Sequence, residues 1–169
     1  MAADALIRTL SSPGTAALPR RLADELDAFL ATLYAPFDDV AAVLQETGSE
    51  AVAARVLAVS EFVRRALCGD PAGFAALIRD GEMTRARHPG EIAAAVARAV
   101  EDVSPQELAR RLRRLRRREM ARIAWRDLGG LATLDETLHE LSDLADEAVI
   151  AAIRHAGAAM SERDRKSVV

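Results

Sequence analysis

The sequence predicts an all-α helical bundle, and three observations lead to this fold class. Apolar residues recur every three or four positions along most of the chain, as they do on one face of an amphipathic helix. Helix start and stop signals, such as Ser104-Pro105 and Gly129-Gly130, separate these periodic segments. No stretch shows the sustained alternation of a half-buried strand, so we expect no sheet.

The first half of the chain contains four predicted helices and one loop. Gly48-Ser49 provides a stop and an N-cap, and Asp70-Pro71 provides an N-cap followed by proline at the first helical position. The helices are expected at residues 19–33, 36–44, 50–67 and 72–79, and the loop at residues 85–90. The inward side of the helix over 50–67 would hold Val52, Val56, Val59, Phe62 and Val63.

Two capping boxes mark the start of two long helices in the second half. Ser104 with Glu107, and Thr133 with Glu136, have the spacing in which each side chain can bond to the other's backbone N–H. The helices are predicted at about Pro105–Leu128 and at residues 134–159. The second one carries one apolar side, formed by Leu138, Leu141, Leu144, Ala145, Ala148 and Ala152.

Composition places the chain among globular proteins of one ordinary domain. Its 169 residues are half hydrophobic and 29% charged, with only 4% aromatic residues, so alanine, leucine and valine must form the core. We expect a single helical domain over residues 1–160, with 1–18 looser. Cys68 is the only cysteine, which excludes an internal disulfide. No run of apolar residues is long enough to span a membrane, so we expect a cytoplasmic protein.

Residues 110–126 form a strongly basic segment in an otherwise acidic chain. They contain nine arginines and one glutamate, a net charge of +8; since the whole chain carries −3, the remainder carries −11. One interpretation is an amphipathic packing helix whose arginine heads stay in water. The other is a phosphate-binding surface. Nucleic acid is disfavoured because Trp125 is the only aromatic residue available there for stacking.

Glu119 lies in the middle of the apolar side of this helix, which is unusual for a carboxylate. It could pair with Arg116 or Arg122 at helical spacing, or position an arginine for a phosphate. The three histidines, His88, His139 and His155, have no metal-ligand spacing and are expected at the surface or in loops. The acidic pairs Asp38-Asp39 and Asp143 with Asp146 are interpreted as solvated helix faces. No phosphate-binding glycine loop or nucleophile motif is present, so we assign no catalytic and no metal residue.

Residues 116–128, RRREMARIAWRDL, carry a distinctive resemblance. This segment is similar to the bifunctional glutamine synthetase adenylyltransferase/adenylyl-removing enzyme family, and to the N-terminal half of those proteins in particular. The resemblance runs from about residue 57 to about residue 159 and includes Val59-Ser60-Glu61-Phe62-Val63. The family-matching positions singled out in the arginine helix are Arg116, Arg117, Arg118, Glu119, Arg122, Trp125 and Asp127.

The resemblance implies a large regulator of nitrogen assimilation with two nucleotidyltransferase domains. One removes AMP from a tyrosine of glutamine synthetase by phosphorolysis, and the other attaches AMP from ATP with Mg²⁺, under control of a PII-type signalling protein and glutamine. The helices here would lead into the first catalytic domain, which would be their intramolecular partner. Family members continue into a glycine-rich turn and a Ser-x-Asp-x-Asp metal-binding element. This sequence has no Asp-x-Asp, so no catalytic or cofactor-binding residue is carried over.

The C-terminal residues differ in composition from the rest of the chain. Lys166 is the only lysine beside 22 arginines. We expect residues 161–169 to be a disordered tail, and our hypothesis is that 164–169 derive from an artefactual end of the coding sequence; the alternative is an ordinary polar terminus. The sequence therefore predicts an inactive N-terminal fragment of the enzyme. The alternative is a stand-alone helical module whose arginine helix docks on RNA or an acidic protein.

Overall fold

The computed structural model describes residues 4–11, 18–33, 37–101 and 103–167 and confirms the all-α prediction. Within these residues it contains no strand and nine helices: α1 Asp4–Leu10, α2 Arg20–Leu30, α3 Asp38–Thr47, α4 Glu50–Val59, α5 Glu61–Gly69, α6 Pro71–Arg79, α7 Glu91–Val100, α8 Pro105–Leu128 and α9 Leu134–Ser167. None of the described helices combines the length and apolarity that a membrane crossing requires.

The helices form two compact units. The first unit comprises residues 1–86 and 121–134, and the second comprises 87–120 and 135–169. Helix α8 contributes its last turns to the first unit and its earlier part to the second. The expected single domain over 1–160 stays a prediction, as does the looseness of 1–18, of which residues 1–3 and 12–17 lie outside the described part.

Helices α1 to α6 enclose the core of the first unit. Contacts join α3 to α6, α2 to α4, and α1 to both α3 and α4. The predicted inward faces of α2 and α3 are buried at Leu26, Phe29, Val40 and Leu44. The last turns of α8 add Trp125 to this core, where its ring meets Phe74 edge-on at a centroid distance of 5.7 Å. Apolar burial therefore extends from the N-terminal helices to the arginine helix.

The single helix predicted over residues 50–67 is wrong, because the chain breaks at Ser60. This residue has extended backbone angles, φ −117° and ψ 98°, and its hydroxyl accepts a hydrogen bond from the backbone N–H of Val63 at 3.2 Å. A new helix, α5, starts there with a side-chain cap. The break redirects the apolar face, so Val59 and Phe62, predicted to point inward, are exposed.

Helix α7 was not predicted, and α9 is longer than predicted. The loop expected over residues 85–90 is confirmed, and Gly90, with φ +84°, precedes α7. Helix α9 continues through Ser167 instead of ending near residue 159, so the predicted disorder is not found over 161–167, and 168–169 lie outside the described residues. No proline interrupts this segment, and its alanine, glutamate and arginine residues are good helix formers.

Three of the six residues on the predicted apolar side of α9 are exposed. Of that side, Leu144 is buried, whereas Leu138, Ala145 and Ala152 are exposed. Besides Leu144, α9 buries residues of a neighbouring face, so its buried set is Thr137, Glu140, Leu144 and Ala151. Two of these four are polar, so the second unit packs α9 partly through polar groups.

The structure leaves no room for a side chain at Gly129. A Cβ atom added there would lie 2.5 Å from the backbone oxygen of Trp125 and 2.8 Å from Cγ1 of Val52. We therefore expect Gly129→Ala to lower the free energy of unfolding by about 1–3 kcal/mol through overpacking. Gly157→Ala is the control for a substitution in open space without a positive φ, and should cost less. Urea unfolding followed by circular dichroism measures both; equal costs would contradict the close approach at Gly129.

Candidate functional site

The nine arginines of residues 110–126 divide into two sets that the sequence alone did not separate. Seven are exposed: Arg110, Arg111, Arg113, Arg114, Arg116, Arg117 and Arg118. The other two, Arg122 and Arg126, are buried to 0% and 2% exposure. The helix therefore has a solvated cationic face and, at its C-terminal end, two guanidinium groups inside the first unit.

The two buried arginines donate hydrogen bonds to the backbone of the segment that follows α6. Nη1 of Arg122 donates to the backbone oxygen of Arg85 at 3.2 Å, and Nη1 of Arg126 donates to the backbone oxygen of Thr84. Charged donors to backbone carbonyls make strong hydrogen bonds, and buried carbonyls need such partners. Both arginines lie within the family-matching segment 116–128, and their bonds give them a structural role in the first unit.

Glu119 forms a buried ion pair in the second unit. Its two carboxylate oxygens accept from Nη2 of Arg87 at 2.8 Å and from Nε at 3.2 Å, and its side chain is only 2% exposed. The backbone N–H of Arg87 donates to Oε1 of Glu140 at 2.9 Å. The sequence had offered Arg116 or Arg122 as the partner of Glu119; Arg116 is exposed, and the ion pair seen for Glu119 is with Arg87. Helical spacing alone did not identify Arg87, which lies 32 residues away.

The start of the cationic face is partly neutralised by Glu107. This carboxylate accepts from Arg110 at 2.6 and 2.9 Å and from Arg111 at 3.1 Å, and these bonds, first from Arg110 and then from Arg111, lower its pKa. The predicted cap is also present, since the Glu107 backbone N–H donates to the hydroxyl of Ser104 at 3.3 Å. The exposed arginines that follow on α8 make no ion pair with a described carboxylate of this helix.

Five exposed arginines form what we call the arginine row: Arg113, Arg114, Arg116, Arg117 and Arg118. None of them makes an ion pair or hydrogen bond to another side chain in the described part of the chain. By contrast, the described structure pairs Arg65 with Glu61, Arg85 with Glu82 and Arg87 with Glu119. The arginine row is therefore a solvated cationic surface able to meet carboxylates or phosphates.

Three other residues that could take part in binding or chemistry, Trp125, Asp127 and Cys68, do not add to the arginine row. Trp125 is 1% exposed, so it cannot stack on a base, and its Nε1 has no hydrogen-bond acceptor among the described residues. Asp127, the last family-matching position, is exposed and has a partner of its own. Partial burial raises the pKa of the Cys68 thiol, which disfavours the reactive thiolate.

The histidines and acidic pairs do not assemble into a catalytic or metal site. His88 and His139 are exposed, as predicted, and Nδ1 of His139 lies 2.7 Å from the backbone oxygen of Asp135. His155 is half-buried beside a groove of about 780 Å³ between α7 and α9 in the second unit. No three His, Cys, Asp or Glu side chains in the described ranges lie close enough to hold a metal ion.

The described residues thus form an all-α protein with a solvated arginine row on α8 and two buried arginines near the end of that helix. Sequence comparison gives the family. The family model described as glutamate-ammonia ligase adenylyltransferase matches residues 51–167. Because the match covers more than half of the chain, the chain belongs to this family, and the resemblance found in residues 57–159 is confirmed.

Curated relatives of this chain have the name of the family that residues 116–128 resemble. The bifunctional glutamine synthetase adenylyltransferase/adenylyl-removing enzyme of Thioalkalivibrio sulfidiphilus is 47% identical over 96 residues, which cover 56% of this chain and 10% of the relative. The enzyme of Pseudomonas putida is 45% identical over 96 residues with the same coverage, and that of Nitrosococcus oceani is 39% identical over 99 residues, 58% of this chain. This chain thus spans about a tenth of these relatives. No solved structure matches it.

Proposed function

We propose that this chain is a helical segment of an enzyme that attaches AMP to a tyrosine of glutamine synthetase and removes it, and that the segment alone has no adenylyl-transfer activity. The family match over residues 51–167 is the observation that carries the first part. The second part rests on the described side chains, which contain no cluster of carboxylates to hold a metal-bound phosphate.

The cofactors implied by the family, Mg²⁺ and ATP, do not fit the residues of this segment. Mg²⁺ takes hard oxygen ligands from carboxylates together with substrate phosphates. The sequence has no Asp-x-Asp, and the acidic residues Asp143 and Asp146 of α9 are exposed and separate from the arginine row along the chain. We therefore assign metal and nucleotide binding to other parts of the enzyme and derive no chemical step here.

Within that enzyme, the segment would act as a scaffold that presents the arginine row. The Arg87–Glu119 pair in the second unit, and the Arg122 and Arg126 bonds in the first, fix the two ends of the family-matching stretch of α8. Glutamine synthetase, a PII-type signalling protein and the enzyme's own catalytic domain are the partners we propose. With a single cysteine and no described membrane-spanning helix, we propose the cytoplasm as its location.

An activity assay on the isolated 169 residues tests the proposed inactivity. Adenylylated glutamine synthetase is incubated with the chain and inorganic phosphate, and ADP is measured. Phosphate oxygen would attack the adenylyl phosphorus, releasing the tyrosine hydroxyl and forming ADP. We expect no ADP above the level without protein, whereas the full-length Pseudomonas putida enzyme is the positive control. ADP formed in proportion to the added chain would contradict the proposal.

The arginine row favours a second candidate function, a stand-alone module that docks on RNA or an acidic protein. Five exposed arginines without side-chain partners in the described structure are the observation behind it. Binding through about five phosphate contacts weakens steeply with salt, by roughly two to three orders of magnitude between 50 and 200 mM. Fluorescence anisotropy with labelled RNA and with an acidic peptide, at both salt concentrations, distinguishes this function from that of a packing helix, which shows no binding.

A further inference from the structure

We draw no further inference here: the strongest candidate, the groove of about 780 Å³ between α7 and α9 beside His155, is lined by two arginines and two glutamates as well as apolar side chains, and nothing in the structure shows what occupies it.

Discussion

Glu119→Ala is expected to lower the free energy of unfolding of the second unit by about 3–5 kcal/mol. The substitution leaves the Arg87 guanidinium, whose side chain is only 12% exposed, without the carboxylate that accepts from two of its nitrogens. Removing the carboxylate of a buried ion pair lowers stability more than removing that of an exposed pair, because the guanidinium stays largely shielded from water. Urea denaturation followed by circular dichroism at pH 7 measures the change.

Two further variants separate a lost ion pair from a lost side chain. The double variant Glu119→Met with Arg87→Met replaces both charges by apolar groups of similar length, so it should recover most of the lost stability. Arg110→Ala removes an exposed partner of Glu107 and should change stability by less than about 1 kcal/mol. A double variant less stable than Glu119→Ala would contradict our explanation, in which the cost of Glu119→Ala comes from the buried charge that remains on Arg87.

Trp125→Ala is expected to cost about 3–5 kcal/mol in the first unit, the range for truncating a buried aromatic side chain. Trp125 is 1% exposed and packs edge-on against Phe74 within the main apolar core. Its removal would leave a cavity between α6 and the last turns of α8. The same denaturation experiment, or the shift of the thermal midpoint, measures this cost.

Trp125→Phe is the informative comparison for this position. The indole Nε1 has no acceptor among the described residues, so losing it sacrifices no hydrogen bond there. The variant should therefore cost clearly less than Trp125→Ala, in proportion to the smaller volume lost. Equal losses for the two variants would show that the indole nitrogen, rather than the ring volume, stabilises the core.

Local signals made the arginine helix the most predictable element. The Ser104 hydroxyl caps its start, and Gly130, with φ +72°, follows its end, so the predicted bounds agree with Pro105–Leu128. The faces of α2 and α3 were predictable for the same reason: their apolar residues repeat at helical spacing without interruption. In these segments local preference and tertiary packing agree.

Elements whose ends depend on tertiary packing were less predictable. The apolar pattern continues through Ser60, so periodicity could not reveal the break between α4 and α5, although the serine cap was present in the sequence. Helix α7 follows directly after the His88-Pro89-Gly90 loop and had no distinctive capping residue beyond Gly90. The buried face of α9 includes Thr137 and Glu140, which no hydrophobic pattern would select.

The candidate site was predictable as a segment but not as a set of roles. The sequence identified residues 116–127 through the family resemblance, but it could not separate Arg122 and Arg126, which bind backbone carbonyls, from the solvated arginine row. The partner of Glu119 comes from a loop 32 residues away. Such pairings depend on the three-dimensional path of the chain, which spacing on one helix does not contain.

Reading the genomic DNA beyond the codon for Met160, from an independent amplification, most directly tests whether this chain is one segment of the longer enzyme. We expect the reading frame to continue into a glycine-rich turn and a Ser-x-Asp-x-Asp element, which would supply a metal-binding carboxylate cluster of a kind that the described residues do not form. A genomic stop codon directly after Val169 would contradict that expectation and would favour the stand-alone helical module with its arginine row.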